Sequence, residues 1–166
     1  MLSRMMLVAG FGVALLVVGC GPPSSDQAIA DVNKTNMHRL SNLYVRYQTQ
    51  NRWKGPKDEA TFKAYLAELP PNVLSRMGIE PGTTEELFTS QQDLAPLKIR
   101  YGVRGNARGS NEAIIFETDG GDDGRRVAFT SMKVEVIADE ARYNGLLNGS
   151  VKESMSNVQK QPQAVQ

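Results

Sequence analysis

The spacing of apolar residues changes character along this chain, and each change predicts a different kind of element. Residues 5–18 form an unbroken apolar run. Further on, Ile29, Val32, Met37, Leu40, Leu43, Tyr44 and Tyr47 recur at helical intervals. At about 100° per residue they fall on one face, which Asn33 and Asn36 interrupt. Ser24 and Gln27 have capping-box spacing and Asp26 suits a first turn, so one long amphipathic helix is expected from there to about Gln50. Asp31, Lys34, His38, Arg39, Asn42 and Arg46 fall on its opposite face and are expected in solvent.

Residues 51–57 contain Trp53 and Gly55-Pro56 and read as a connector, with Trp53 sealing the core. Asp58 caps a second helix whose stripe is Phe62, Tyr65, Leu66 and Leu69, and Pro70-Pro71 ends it. Residues 73–77 suggest a short turn closed by Gly78, and Pro81-Gly82 another. Thr83 and Glu86 form a second capping box before Leu87 and Phe88.

The period then becomes two. Leu97, Ile99, Tyr101 and Val103 alternate with Lys98, Arg100 and Gly102, as in a half-buried strand. A polar loop over 104–111 leads to further strands at 112–118, 126–130 and 133–137, with a tight acidic turn at 119–124. Asp139 caps a last helix that buries Tyr143, Leu146 and Leu147.

This order predicts an α+β fold: a long N-terminal helix and short helices packed on one face of a four-stranded antiparallel sheet, the other face open to water. Leu40, Leu43, Tyr44 and Tyr47 are expected to meet Ile99, Tyr101, Ile115, Val127 and Phe129. The expected organisation is a signal segment at 1–19, a tether at 20–25, one domain at 26–147 and a disordered polar tail at 148–166.

The first apolar run is preceded by Arg4 and ends at Gly19, before the only cysteine, Cys20. It is shorter than the roughly 20 residues a membrane span needs. Gly21, Pro22 and Pro23 would break any helix that continued. That is the layout of a secretory signal peptide. Val17-Val18-Gly19-Cys20 resembles the lipobox of bacterial lipoproteins. The resemblance implies cleavage between Gly19 and Cys20, lipid on the Cys20 thiol and an acylated new amine. It implies anchorage to a bilayer in the cell envelope through fatty acyl chains such as palmitate. Gly21 stands where an aspartate would resemble an inner-membrane retention signal, so the outer membrane is favoured.

Arg4 is the only charge in the signal, so its removal matches the chain's 19 basic residues to its 18 acidic ones and takes the formal net charge from +1 to zero. A neutral chain has no global field to draw it to nucleic acid, and no nucleic-acid partner is expected. With Cys20 lipidated no thiol remains for a disulfide.

Residues 124–137, followed by Tyr143 and Leu146-Leu147, resemble the closing hairpin and helix of type IV pilins and type II secretion pseudopilins. The element order of the mature chain resembles those soluble domains too. Their usual Asp-Gly-His turn is replaced here by Ser131-Met132-Lys133. Prepilins also retain their apolar run, which this chain is expected to discard, so an assembling pilus subunit is not implied. The resemblance implies an envelope or secretion-system protein as partner.

One exposed histidine, His38, cannot build a histidine triad or a histidine-rich metal site. Asp119-Gly120-Gly121-Asp122-Asp123-Gly124 is Ca²⁺-like in composition, but Gly121 fails the third loop position and Thr130 the twelfth. Gly102, Gly105 and Gly109 lack phosphate-loop spacing. No metal or cofactor is expected. Arg100, Arg104, Arg108, Arg125 and Arg126 are expected near one end of the sheet, with Arg104, Arg108, Arg125 and Arg126 as the candidate surface for a phosphate or carboxylate. These features favour a non-enzymatic scaffold or binding module. The alternative is an envelope carbohydrate-binding or carbohydrate-hydrolysing protein, using Glu112, Glu117, Asp122 or Asp123, with Trp53 available to stack on a sugar.

Overall fold

The computed structural model describes residues 33–105 and 110–154. The signal segment, Gly19, Cys20, the Ser24–Gln27 capping box and Arg108 lie outside the described residues.

Helix α1 is Asn36–Gln50. It starts at Asn36 because the Thr35 hydroxyl caps it, accepting the His38 N–H at 3.3 Å. Residues 33–35 are turn and bend, so the helix does not run unbroken from Ser24 as the periodicity suggested. Met37, Leu40, Leu43 and Tyr44 are buried as the spacing predicts. Asn36, which interrupts that face, is buried too. Its side-chain amide donates to the Glu86 and Thr89 carbonyls at 2.9 and 3.0 Å, tying the start of α1 to that segment.

Helix α2, Glu59–Ala67, is capped by Asp58 and buries Phe62 and Leu66. Helix α3, Pro71–Arg76, follows with proline in its first turn, where the missing N–H costs nothing. Gly78 then turns the chain at φ +66. Thr84–Phe88 is a 3₁₀ helix. The expected capping box does not form there, because the Thr83 hydroxyl donates back to the Glu80 carbonyl at 3.0 Å.

The strands are β1 Lys98–Ile99, β2 Ser110–Asn111, β3 Ala113–Phe116, β4 Arg125–Phe129, β5 Val134–Ile137 and β6 Glu153–Ser154. The main sheet has four strands in the order β1-β3-β4-β5, all antiparallel, and β2 pairs with β6 in a separate two-stranded sheet. The fold is thus mixed α+β, as expected.

The long strand expected from Leu97 to Val103 is much shorter, because Gly102 at φ +70 turns the chain out of the sheet. Every residue of β3 is buried. Ala113 pairs with Phe129 but Ile115 with Ala128, so Ile114 is an extra residue. That bulge sends both Ile114 and Ile115 towards α1, while Ala113 and Phe116 face the other way.

The second face of the sheet is therefore not open to water. Helix α4, Glu140–Asn148, covers it, placing Tyr143 and Leu146 against Phe116, Val127, Phe129 and Ile137. Val127 and Phe129, expected under α1, lie beneath α4, and Ala128 between them points to α1. Tyr47 is only half-buried and sets its ring edge-on to Tyr65 at 5.1 Å.

The disordered tail expected from residue 148 is corrected for its first residues. Gly149 closes α4 at φ +77, and Glu153 pairs with Asn111 in the β2–β6 ladder. Arg142 of α4 fastens the segment, donating from Nε to Glu153 at 2.9 Å and from Nη2 to Glu135 at 3.2 Å. Burial alone would raise the Glu135 carboxyl, but Lys133 and Arg142 outweigh it and hold it below the usual carboxylate range.

Candidate functional site

Side chains alternate along a strand, so neighbours in sequence face opposite ways. Arg125 and Arg126 are neighbours on β4, and the sheet separates them. Arg125 lies over the Tyr143 ring, 3.8 Å from its centroid, and pairs with Glu140 on α4. Arg126 faces α1 and reaches Glu117 at 3.5 Å.

Arg100 is used inside the fold. Its Nη1 donates to the Ala113 and Leu146 carbonyls, each at 3.0 Å, so it caps the last turn of α4 from the sheet. Arg104 lies elsewhere again, exposed beside Lys54. Among the described residues, then, Arg100, Arg104, Arg125 and Arg126 do not converge.

Glu117 is the only buried carboxylate among the described residues and is 4% exposed. Oε2 accepts the Arg126 backbone N–H at 2.9 Å, and Oε1 faces the Ser90 hydroxyl at 3.3 Å and the Arg126 guanidinium. These bonds join the loop before β1 to β4, which is a structural task. Asp122 and Asp123 sit exposed in the turn before β4. That turn is closed by a Gly124 N–H to Gly121 carbonyl bond of 3.0 Å. Glu112 is half-buried after β2. Among the described residues, no group of three or more His, Cys, Asp or Glu side chains is placed to hold a metal ion.

His38 is half-buried rather than solvated, with Nδ1 2.8 Å from the Thr35 hydroxyl. Burial lowers its pKa from 6.5, with Lys34 and Arg126 adding repulsion. The folded protein thus favours the neutral ring. Its contribution is complete above the unfolded value near 6.5 and is lost as pH falls through the lower folded value. His38→Gln is expected to narrow the loss of Tm between about pH 7.5 and about pH 5.5, measured by thermal melts of both proteins.

A polar cavity of about 350 Å³ opens beside the start of α1, bounded by Asn36, Arg39, Ile79, Glu80, Glu86 and Gln91. The Arg39 guanidinium on its wall is held by the Met77 carbonyl at 3.1 Å and the Asn36 side chain at 3.2 Å.

The turn after α1 differs from the plain connector that the sequence predicts. Helices commonly close on a left-handed glycine. Here Arg52 and Trp53 take that conformation themselves, at φ 53 and φ 64. For a residue with a side chain each such angle costs about 1–2 kcal/mol. Trp53 is 38% exposed and does not seal the core.

One local and two long-range bonds hold the turn in place. The Trp53 N–H donates to the Gln48 carbonyl at 2.7 Å, Gly105 donates to the Trp53 carbonyl at 2.9 Å, and Gly55 donates to the Val103 carbonyl at 2.9 Å. The result is a short ribbon in which Lys54 and Arg104 stand directly opposite each other. It lies close against α1. A Cβ on Gly55 would sit 2.2 Å from the Tyr44 hydroxyl, and one on Gly105 would sit 2.9 Å from Gln48 Oε1. The available signal in the sequence was the lack of any glycine between Gln50 and Trp53.

No helix among the described residues is long and apolar enough to cross a membrane. No family model, curated protein or solved structure matches this chain.

Proposed function

We propose that this chain is a cell-envelope lipoprotein, anchored to a bilayer through acylated Cys20 and acting as a non-enzymatic scaffold or binding module. The observation that carries the reading is the signal-like run that closes on the chain's only cysteine. Helix α1 packed on an antiparallel sheet, and the β4–β5 hairpin leading directly into α4, support a pilin-like or pseudopilin-like soluble domain. An envelope or secretion-system protein is then the natural partner, and the outer membrane the favoured site. Two or more acyl chains bury enough CH₂ groups, at about 0.8 kcal/mol each, to make the anchor effectively permanent.

Detergent phase separation tests the anchor. The wild-type protein is expected in the detergent phase and Cys20→Ala in the aqueous phase. Equal partitioning of the two would end the proposal.

The exposed Trp53 favours a second reading, in which the module binds envelope carbohydrate. Hydrolysis has less support, because Glu117 is engaged by Ser90 and Arg126.

A further inference from the structure

The turn that closes α1 sets the chain's only tryptophan among cations. Arg52, Trp53, Lys54 and Arg104 are all exposed, and none of the three cations forms an ion pair with a described residue. Like charges directly opposite on paired strands repel each other, and Lys54 and Arg104 are so placed. The nearest carboxylate in sequence, Asp58, is occupied as the cap of α2 and lies 3.8 Å from Lys57. The hydrogen bonds to Gln48 and Val103 fix the backbone that presents these groups. Left-handed residues other than glycine persist where surrounding structure imposes them, and they gather at functional sites.

We propose that Arg52, Trp53, Lys54 and Arg104 form a docking surface for an anionic glycan, a sugar polymer that carries carboxylate or phosphate groups. An indole face takes the C–H face of a sugar ring, and flanking guanidinium and ammonium groups take its anions. The proposal rests on the carbohydrate-binding reading and gives it a substrate class.

The composition of the ribbon favours a glycan over a lipid surface, since its exposed side chains are mainly charged. A bilayer-inserting surface also needs several apolar side chains together, and the ribbon offers Trp53 alone.

Because Trp53 is the only tryptophan, its fluorescence reports on this surface directly. The full chain in neutral detergent is titrated with polygalacturonate, with dextran as the uncharged control and phosphatidylglycerol vesicles as the lipid control. The expected result is a shift in Trp53 emission with polygalacturonate and none with dextran. Half-saturation should rise about tenfold between about 50 and about 200 mM salt, as ions are released from the polyanion. Lys54→Gln/Arg104→Gln should weaken binding at least about tenfold with an unchanged Tm, since both side chains are exposed.

Three results would overturn the proposal: no response to polygalacturonate, undiminished binding by the double variant, or a response to the vesicles alone. The signal does not depend on acylation. A failure here therefore leaves the lipoprotein reading standing, and an unacylated chain that binds polygalacturonate would remove that reading alone.

Discussion

Leu40→Ala is expected to lower stability by about 2–5 kcal/mol and Phe129→Ala by about 3–5 kcal/mol, with the two losses nearly additive in the double variant. Both side chains are fully buried, at 0% exposure, so truncation removes transfer free energy and leaves a cavity. Leu40 packs between α1 and the sheet with Leu43, Tyr44, Ile114 and Ile115. Phe129 packs on the other face, with Phe116, Val127, Tyr143 and Leu146. The two belong to different clusters with the sheet between them, and independent sites add to within about 0.3–0.5 kcal/mol. Urea unfolding of the single and double variants measures all three quantities. A double variant no less stable than Phe129→Ala would show that the two faces are one cluster.

Glu117→Ala is expected to cost about 2–4 kcal/mol, although Glu117 was a candidate for catalysis in the carbohydrate reading. Its removal leaves the Arg126 N–H and the Ser90 hydroxyl without their acceptor in a buried place. The Arg126 side chain is 40% exposed and can turn to water, which keeps the cost below that of a wholly buried pair. Denaturant unfolding checks the value. A loss under about 0.5 kcal/mol would mean that Glu117 is not holding the loop before β1 to β4.

The helices were largely legible because their signals are local. The face of α1 followed from a 3.6-residue period, and the caps at Asp58 and Asp139 from residue type alone. The start of α1 was not, since the apolar period runs through Thr35 without a break and only the cap geometry ends it. The second covered face of the sheet had a readable signal in β4, where Val127, Ala128 and Phe129 are consecutively apolar and leave no polar side to face water. The bulge at Ile114 hid the facing of β3, because one extra residue reverses the alternation.

Among the described residues, Arg125 and Arg126 do not form a common surface, for a simple reason. Adjacent residues on a strand cannot share a face, and Arg125 and Arg126 are adjacent. The Trp53 turn was out of reach, since left-handed angles at Arg52 and Trp53 are imposed by bonds to residues 48, 103 and 105. The opposition of Lys54 and Arg104 arises the same way, from a pairing fifty residues apart in sequence.

We propose that Cys20 becomes the acylated first residue of a mature envelope protein. Intact mass of the chain purified from membranes, after expression with its own N-terminal segment, tests it most directly. The predicted mass is that of residues 20–166 plus a diacylglyceryl group and an amide-linked acyl chain. A mass equal to the unmodified polypeptide, or a first residue other than Cys20, would contradict the claim.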